Sequence, residues 1–299
     1  MDWVTGIQRA IDYMEEHITE DIDYAAAARQ SCSSEYHFGR VFAILCGMTP
    51  AEYVRARRLS LAGSALAQGK LRVIDAALQY GYDSPDSFTR AFTRFHGITP
   101  SRARAGGVIK SFSRLHVRIT LEGGTIMNYR LEEKPETVYL GYKRHFSGTP
   151  DDRQRQEADF FISTRANQYL LKGMAHDCDT QYCIITDTVD DGYDFYIASR
   201  ISRWLDGHLE EALGEDARRF ERITVPAGTY LICETERTKY PTLLQEELRR
   251  RAVSEWLPSS DYELADAPEI TVTHWYFDEN NPDIRNRRYI ELWLPIRKR

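Results

Sequence analysis

The chain states one motif twice. Residues 34–50 read SEYHFGRVFAILCGMTP and residues 84–100 read SPDSFTRAFTRFHGITP. Ser34/Ser84, Phe38/Phe88, Arg40/Arg90, Phe42/Phe92, Gly47/Gly97, Thr49/Thr99 and Pro50/Pro100 coincide without a gap. A repeat of this length between periodic segments marks a duplicated supersecondary unit. Each copy opens on a serine suited to cap a helix and closes on Gly-x-Thr-Pro, which ends one helix and starts another. Phe38, Val41, Phe42 and Leu45, and then Phe88, Ala91, Phe92 and Phe95, fall at i, i+3, i+4 and i+7. That spacing gives each helix one buried stripe.

The flanking pattern predicts further helices over about 3–17, 22–30 and 50–68, and over 72–80 ahead of the second copy. Two helix-turn-helix units joined by one long helix make the first half all-α. The outer face of the first copy offers Tyr36, His37, Gly39, Arg40 and Ala43; that of the second offers Asp86, Ser87, Thr89, Arg90, Thr93 and Arg94. Arginine can bond guanine O6 and N7 with two parallel hydrogen bonds, and serine or threonine can meet base edges or phosphates. A solvated face or a local salt bridge is the plainer reading of one such arginine. Its recurrence at one register favours contact with duplex DNA. Gly39 offers no side chain, so more base discrimination is expected from the second helix. Arg55 and Arg57 on the connecting helix are candidates for phosphate contacts.

Charge is unevenly spread. Residues up to Arg118 hold 15 Lys and Arg against 12 Asp and Glu, whereas the remainder holds 24 against 33. The second half would repel DNA and therefore calls for a different partner. No stretch approaches the ~20 apolar residues of a membrane span, and the acidic amphipathic N-terminus does not read as a signal peptide. No membrane partner and a cytoplasmic location are expected. The five cysteines, Cys32, Cys46, Cys178, Cys183 and Cys233, are scattered, with no second metal-spaced pair. No metal site, disulfide framework or cofactor is predicted.

The second half changes to strands, expected over 136–146, 181–189, 193–201, 228–236, 268–277 and 287–296. Amphipathic helices are expected over about 153–171 and 241–256. Strand, helix, strand, strand thus occurs twice, which predicts a pseudo-symmetric α+β domain around a shared concavity. In the last strand Tyr289, Glu291 and Trp293 share one face and Ile290, Leu292 and Leu294 the other. A carboxylate between two aromatics reads either as an edge strand with Glu in water or as a site for a cation. Tyr142, Tyr230, Trp275 and Tyr276 are further candidates for an aromatic pocket.

With both signatures in view, residues 1 to about 107 resemble the AraC/XylS family of bacterial transcription regulators, most specifically through YGYDSPDSFTRAFTRFHGITPSRAR at 80–104. The resemblance implies two recognition helices in successive major-groove segments about one helical turn apart. It carries the contacting positions onto Tyr36, Gly39 and Arg40, and onto Asp86, Ser87, Thr89, Arg90 and Thr93. Residues 127–299 resemble GyrI-like effector-binding domains through MNYRLEEKPETVYLGYKRHFSG, VPAGTYL and YIELWLPI. That likeness implies two strand-helix-strand-strand repeats around a cleft, with Glu291 facing cationic, lipophilic ligands. The expected organisation is a DNA-binding domain over 1–107, a linker over 108–126 and a small-molecule-binding domain over 127–299.

Three functions remain open on the sequence. The first is a transcription regulator that binds double-stranded DNA and responds to a small cationic or amphipathic effector, without being an enzyme. The second is a hydrolase in which Glu291 beside Tyr289 acts as a base. The third is a constitutive DNA binder whose second domain docks a protein such as RNA polymerase.

Overall fold

The computed structural model describes residues 3–31, 33–117, 127–148, 150–175, 177–189, 192–276 and 281–299. Its contacts divide the chain into two compact units, Met1–Leu121 and Glu122–Arg299. Among the described residues no helix is long and apolar enough to cross a membrane.

The first unit is all-α: α1 Trp3–Glu16, α2 Tyr24–Gln30, α3 Glu35–Cys46, α4 Pro50–Ala67, α5 Val73–Gln79, α6 Pro85–His96 and α7 Pro100–Arg104. The caps explain the boundaries. Ser34 Oγ accepts from the His37 amide at 3.3 Å, and Ser84 Oγ accepts from the Ser87 amide at 3.2 Å. Thr49 and Glu52 form a reciprocal capping box at the start of α4. Gly47 and Gly97 close the two equivalent helices in the left-handed region, at φ 71° and 80°, where a side chain would be strained. Phe88 and Phe92 bury against Leu59, Ala62 and Leu66 of α4 and Ala76 and Ala77 of α5. Phe38, Val41 and Phe42 are equally buried in the first copy.

Residues 108–117 form neither helix nor strand and are stitched onto the first unit. The amides of Lys110, Phe112, Leu115 and Val117 donate to His96 Nδ1, Ser60 Oγ, Tyr53 Oη and Gln8 Oε1, at 3.1, 2.9, 3.3 and 2.8 Å. Arg114 adds an ion pair with Asp12 at 2.6 Å. This part of the expected linker is therefore a strap. The rest of the expected linker, 118–126, lies outside the described residues.

The second unit is α+β. Its elements are β1 Asn128–Lys134, β2 Thr137–Ser147, α8 Pro150–Ser163, α9 Arg165–Met174, β3 Thr180–Val189 and β4 Gly192–Ser199. Next come α10 Arg203–Gly207, α11 Leu209–Leu213, β5 Glu221–Val225, β6 Gly228–Glu234, α12 Gln245–Arg251, β7 Tyr262–Leu264, β8 Glu269–His274 and β9 Tyr289–Lys298. One sheet runs in the order β1-β6-β9-β8-β3-β4-β2-β5, with β7 on β9. The duplication predicted from the sequence is visible in that order. The repeat β2-helix-β3-β4 answers β6-helix-β8-β9, and the repeats meet where β3 pairs with β8. The sequence patterning missed β1 and β5. Each precedes one repeat and pairs into the other: β1 with β6, and β5 with β2.

Strand alternation divides the sheet into two faces. One bears Leu140, Tyr142, Phe146, Phe195 and Ile197 and packs on Phe160 of α8 and Leu171 of α9. The opposite face carries Tyr139, Tyr182, Tyr196, Tyr230 and Trp293 among Ile184, Ile232, Ile270 and Val272.

Candidate functional site

In the first unit the two equivalent helices differ in what they present. On α6, Asp86, Arg90 and Arg94 are exposed, and Thr89 and Thr93 are half-buried beside them. Ser87 is half-buried and its hydroxyl donates to the Ser84 carbonyl at 2.9 Å, closing the cap. On α3, Tyr36 is half-buried, whereas His37 and Arg40 are 2% and 8% exposed. The open face expected for His37 and Arg40 is not there. Where α6 has Thr93 and Arg94, α3 has Ala43 and Ile44. Helix α3 is thus apolar over a wider arc and buries more of its circumference.

The basic residues of α4 also separate. Arg55 is exposed. Arg57 reaches Glu15 at 2.7 and 2.9 Å and the Phe112 carbonyl at 2.6 Å, with its side chain only 13% exposed. Burial raises the Glu15 carboxyl, but hydrogen bonds from Arg57 and Tyr53 outweigh it and hold the group below its usual range. Arg57 is therefore a structural clamp between α1, α4 and the strap. Arg58 donates to the Ile18 carbonyl at 2.8 Å and to the Glu20 carbonyl.

In the second unit Glu291 lies on the aromatic face with its side chain 9% exposed. Glu291 Oε2 accepts from the Trp293 indole at 2.7 Å, and Oε1 accepts from Arg130 at 3.0 Å. Arg130, on β1, also reaches Glu234 at 2.6 Å and Glu132 at 3.2 Å. Lys134, two pleats along β1, bonds Glu132 at 2.6 Å and sits 4.2 Å from the Trp293 ring centroid. Arg237 pairs with Glu234 at 3.0 Å and lies 3.8 Å from the Tyr289 ring centroid. His274 stacks on Tyr289 at 4.2 Å, and its Nε2 stands 3.9 Å from Glu291. Burial lowers the His274 pKa below its ordinary value.

Tyr289, Glu291, Trp293 and Tyr230 therefore share one face. The ring of Tyr276 stands 6.4 Å from both His274 and Tyr289. Tyr142 and Trp275 lie elsewhere. Tyr142 is on the helix-packed face and donates to Thr164 Oγ1 at 3.1 Å; burial pushes its hydroxyl up to about 12. Trp275 follows His274 and so turns to the other side of the sheet, where its indole donates to Gln181 at 2.9 Å. A pleated strand sends neighbouring residues to opposite faces, so an aromatic one residue out of phase cannot join the set.

The charged row Arg130, Glu132 and Lys134 and the tyrosines Tyr139, Tyr182 and Tyr196 went unrecognised in the sequence. One signal was available. PETVYL at 135–140 and PAGTYL at 226–231 align without a gap and equate Tyr139 with Tyr230.

A double helix-turn-helix unit and a duplicated α+β unit with a buried carboxylate among aromatics define a two-domain helix-turn-helix protein. Comparison with known proteins agrees. The helix-turn-helix domain family matches residues 27–106, and the family described as integron-associated effector binding protein matches residues 130–296, more than half of the chain. The transcriptional activator AarP of Providencia stuartii is 36% identical over 98 residues, covering 33% of this chain and 73% of AarP. The transcriptional regulator Rob of Salmonella typhimurium is 29% identical over 147 residues, covering 49% of this chain and 50% of Rob. The HTH-type transcriptional regulator YbfP of Bacillus subtilis is 36% identical over 104 residues, 35% of each chain. The chain thus spans half or less of the length of YbfP and Rob. Among solved structures, SAV2435 bound to tetraphenylphosphonium aligns at 15% identity over 57% of this chain and 94% of that one, with a TM-score of 0.43. The protein belongs to the AraC family of transcriptional regulators and carries a GyrI-like effector-binding domain.

Proposed function

We propose that this protein is a ligand-responsive regulator of transcription whose effector is a bulky organic cation held on the aromatic face of the second unit. The observation that carries the reading is the placement of Glu291. Its buried carboxylate, paired with Arg130 and fixed by the Trp293 indole, stands in a field of tyrosines whose ring faces attract cations. The counter-charge role is favoured over a general base because both carboxylate oxygens are engaged, one by Arg130 and one by Trp293. Base discrimination falls chiefly to α6, through Arg90 with Asp86, Thr89, Thr93 and Arg94 around it. From α3, Tyr36 and the helix N-terminus contribute backbone-level positioning.

An effector can change transcription only by binding one state of the protein more tightly than another. The test uses two ions of nearly equal size and lipophilicity, tetraphenylphosphonium and tetraphenylborate. Titration calorimetry of the full chain is expected to show binding of the cation and little of the anion, with the preference lost in Glu291→Gln. DNA affinity, measured at constant salt on a duplex selected from a randomised pool, is expected to change when the cation is added. Equal binding of both ions sinks the cation reading.

A further inference from the structure

We propose that Lys134 is a resident cation that occupies the effector's place on Trp293, so that binding proceeds by displacing it. This rests on the cation reading above and adds the residue that sets the site's selectivity. The Lys134 ammonium stands 4.2 Å from the Trp293 ring centroid, inside the ~6 Å range in which a cation is attracted to an aromatic face. The interaction that a ligand cation would make is therefore already made, from within the chain.

The charges of the ion-pair cluster that holds Glu291 cancel, and a further cation, Arg200, bonds the Tyr182 hydroxyl on the same face. Arg130, Lys134 and Arg237 face Glu132, Glu234 and Glu291 in one connected set of ion pairs. An entering cation meets a neutral cluster rather than a free carboxylate, and adds uncompensated charge unless a resident cation withdraws. Arg130 is held by three carboxylates through its planar fork and is poorly placed to leave. Among the described residues Lys134 pairs with one carboxylate, Glu132, whose side chain is 41% exposed, and it has a flexible four-carbon stem. Swinging out with or toward Glu132 keeps the ammonium in water and uncovers the ring.

The chemical consequence is a filter. A primary ammonium ligand gains nothing that Lys134 does not already supply. A quaternary or delocalised cation brings apolar area to the tyrosines as well as charge to the ring and is weakly hydrated, so it outcompetes the lysine.

The experiment compares the full chain with Lys134→Met, Lys134→Gln and Lys134→Arg. Calorimetry follows tetraphenylphosphonium and a primary amine, benzylammonium, and circular dichroism verifies folding of each variant. Lys134→Met and Lys134→Gln are expected to bind tetraphenylphosphonium about tenfold more tightly and to acquire measurable benzylammonium binding, while Lys134→Arg stays near wild type. Wild-type binding of tetraphenylphosphonium that is unchanged or weakened in the Met and Gln variants overturns the displacement proposal alone. Failure of every chain, including those lacking Lys134, to bind tetraphenylphosphonium overturns the cation reading and this proposal with it.

Discussion

Arg40 and Arg90 occupy the same register of two equivalent helices, yet Arg40 is 8% exposed and Arg90 stands on the exposed face of α6. The repeat therefore preserves the scaffold and not the surface. Arg90→Ala is expected to cost about 1–3 kcal/mol on the preferred duplex and to relax base preference at the position it reads. Arg40→Ala is expected to lower the unfolding midpoint first, because it removes a long side chain from a packed position. Fluorescence anisotropy on a selected duplex, paired with denaturant melts, separates the two. Unchanged affinity and preference in Arg90→Ala would refute the reading role of α6.

Arg55 and Arg57, two positions apart on α4, should behave oppositely. Arg57 closes a nearly buried pair with Glu15, so Arg57→Ala leaves a carboxylate without its partner and is expected to cost about 3 kcal/mol of stability. Arg55 is exposed, and Arg55→Ala should leave stability intact while weakening all duplexes alike and reducing the salt slope by about one. A chemical melt and a salt titration of binding check both.

The locally encoded parts of this fold were legible from sequence. Ser34 and Ser84, Gly47 and Gly97, and the Phe38/Phe42 and Phe88/Phe92 stripes act within a few residues of themselves, so spacing reveals them. What lay beyond reach was non-local. Arg130 meets Glu291 across 161 positions because β1 leaves its own repeat to pair with β6. Whether Tyr142 or Tyr139 shares the face of Glu291 depends on which side of β2 the helices cover, and alternation alone gives two candidate faces without choosing between them. Arg57 reads as a free cation in the sequence, since its partner Glu15 lies on another helix and its carbonyl acceptor on the strap.

His96 ties the strap to α4, and its chemistry gives the first unit a pH dependence. Nδ1 accepts the Lys110 amide at 3.1 Å and Nε2 donates to the Leu59 carbonyl at 3.0 Å, an arrangement only the neutral ring can make. Burial, the leading cause, lowers its pKa below the ordinary 6.5. The unfolded chain then binds a proton that the folded one refuses, so this contribution is complete above about pH 6.5 and is lost as pH falls through that value toward the lowered folded pKa. Hydrogen exchange of the peptide over 108–117 is expected to quicken between about pH 7 and pH 5 beyond the intrinsic rate, and His96→Gln to flatten that step. Burial lowers His274 as well, so the second unit should lose stability in the same direction.

Tyr142 and Trp293 provide the sharpest test of which sheet face is functional. Tyr142 packs on Phe160 and Phe220 and donates to Thr164, all on the helix side. Tyr142→Phe keeps the ring and deletes one hydrogen bond, so it should cost about 1 kcal/mol of stability and leave tetraphenylphosphonium affinity unchanged. Trp293 supplies both a cation-attracting ring and the indole N–H that holds Glu291 Oε2. Trp293→Ala should therefore weaken the cation by about 1–3 kcal/mol. Trp293→Phe retains a ring but no donor and should fall between, with the shortfall confined to charged ligands because Glu291 then loses its fixed orientation. Calorimetry on the three variants reads this order directly, and a Tyr142→Phe that loses the ligand would place the binding face on the other side of the sheet.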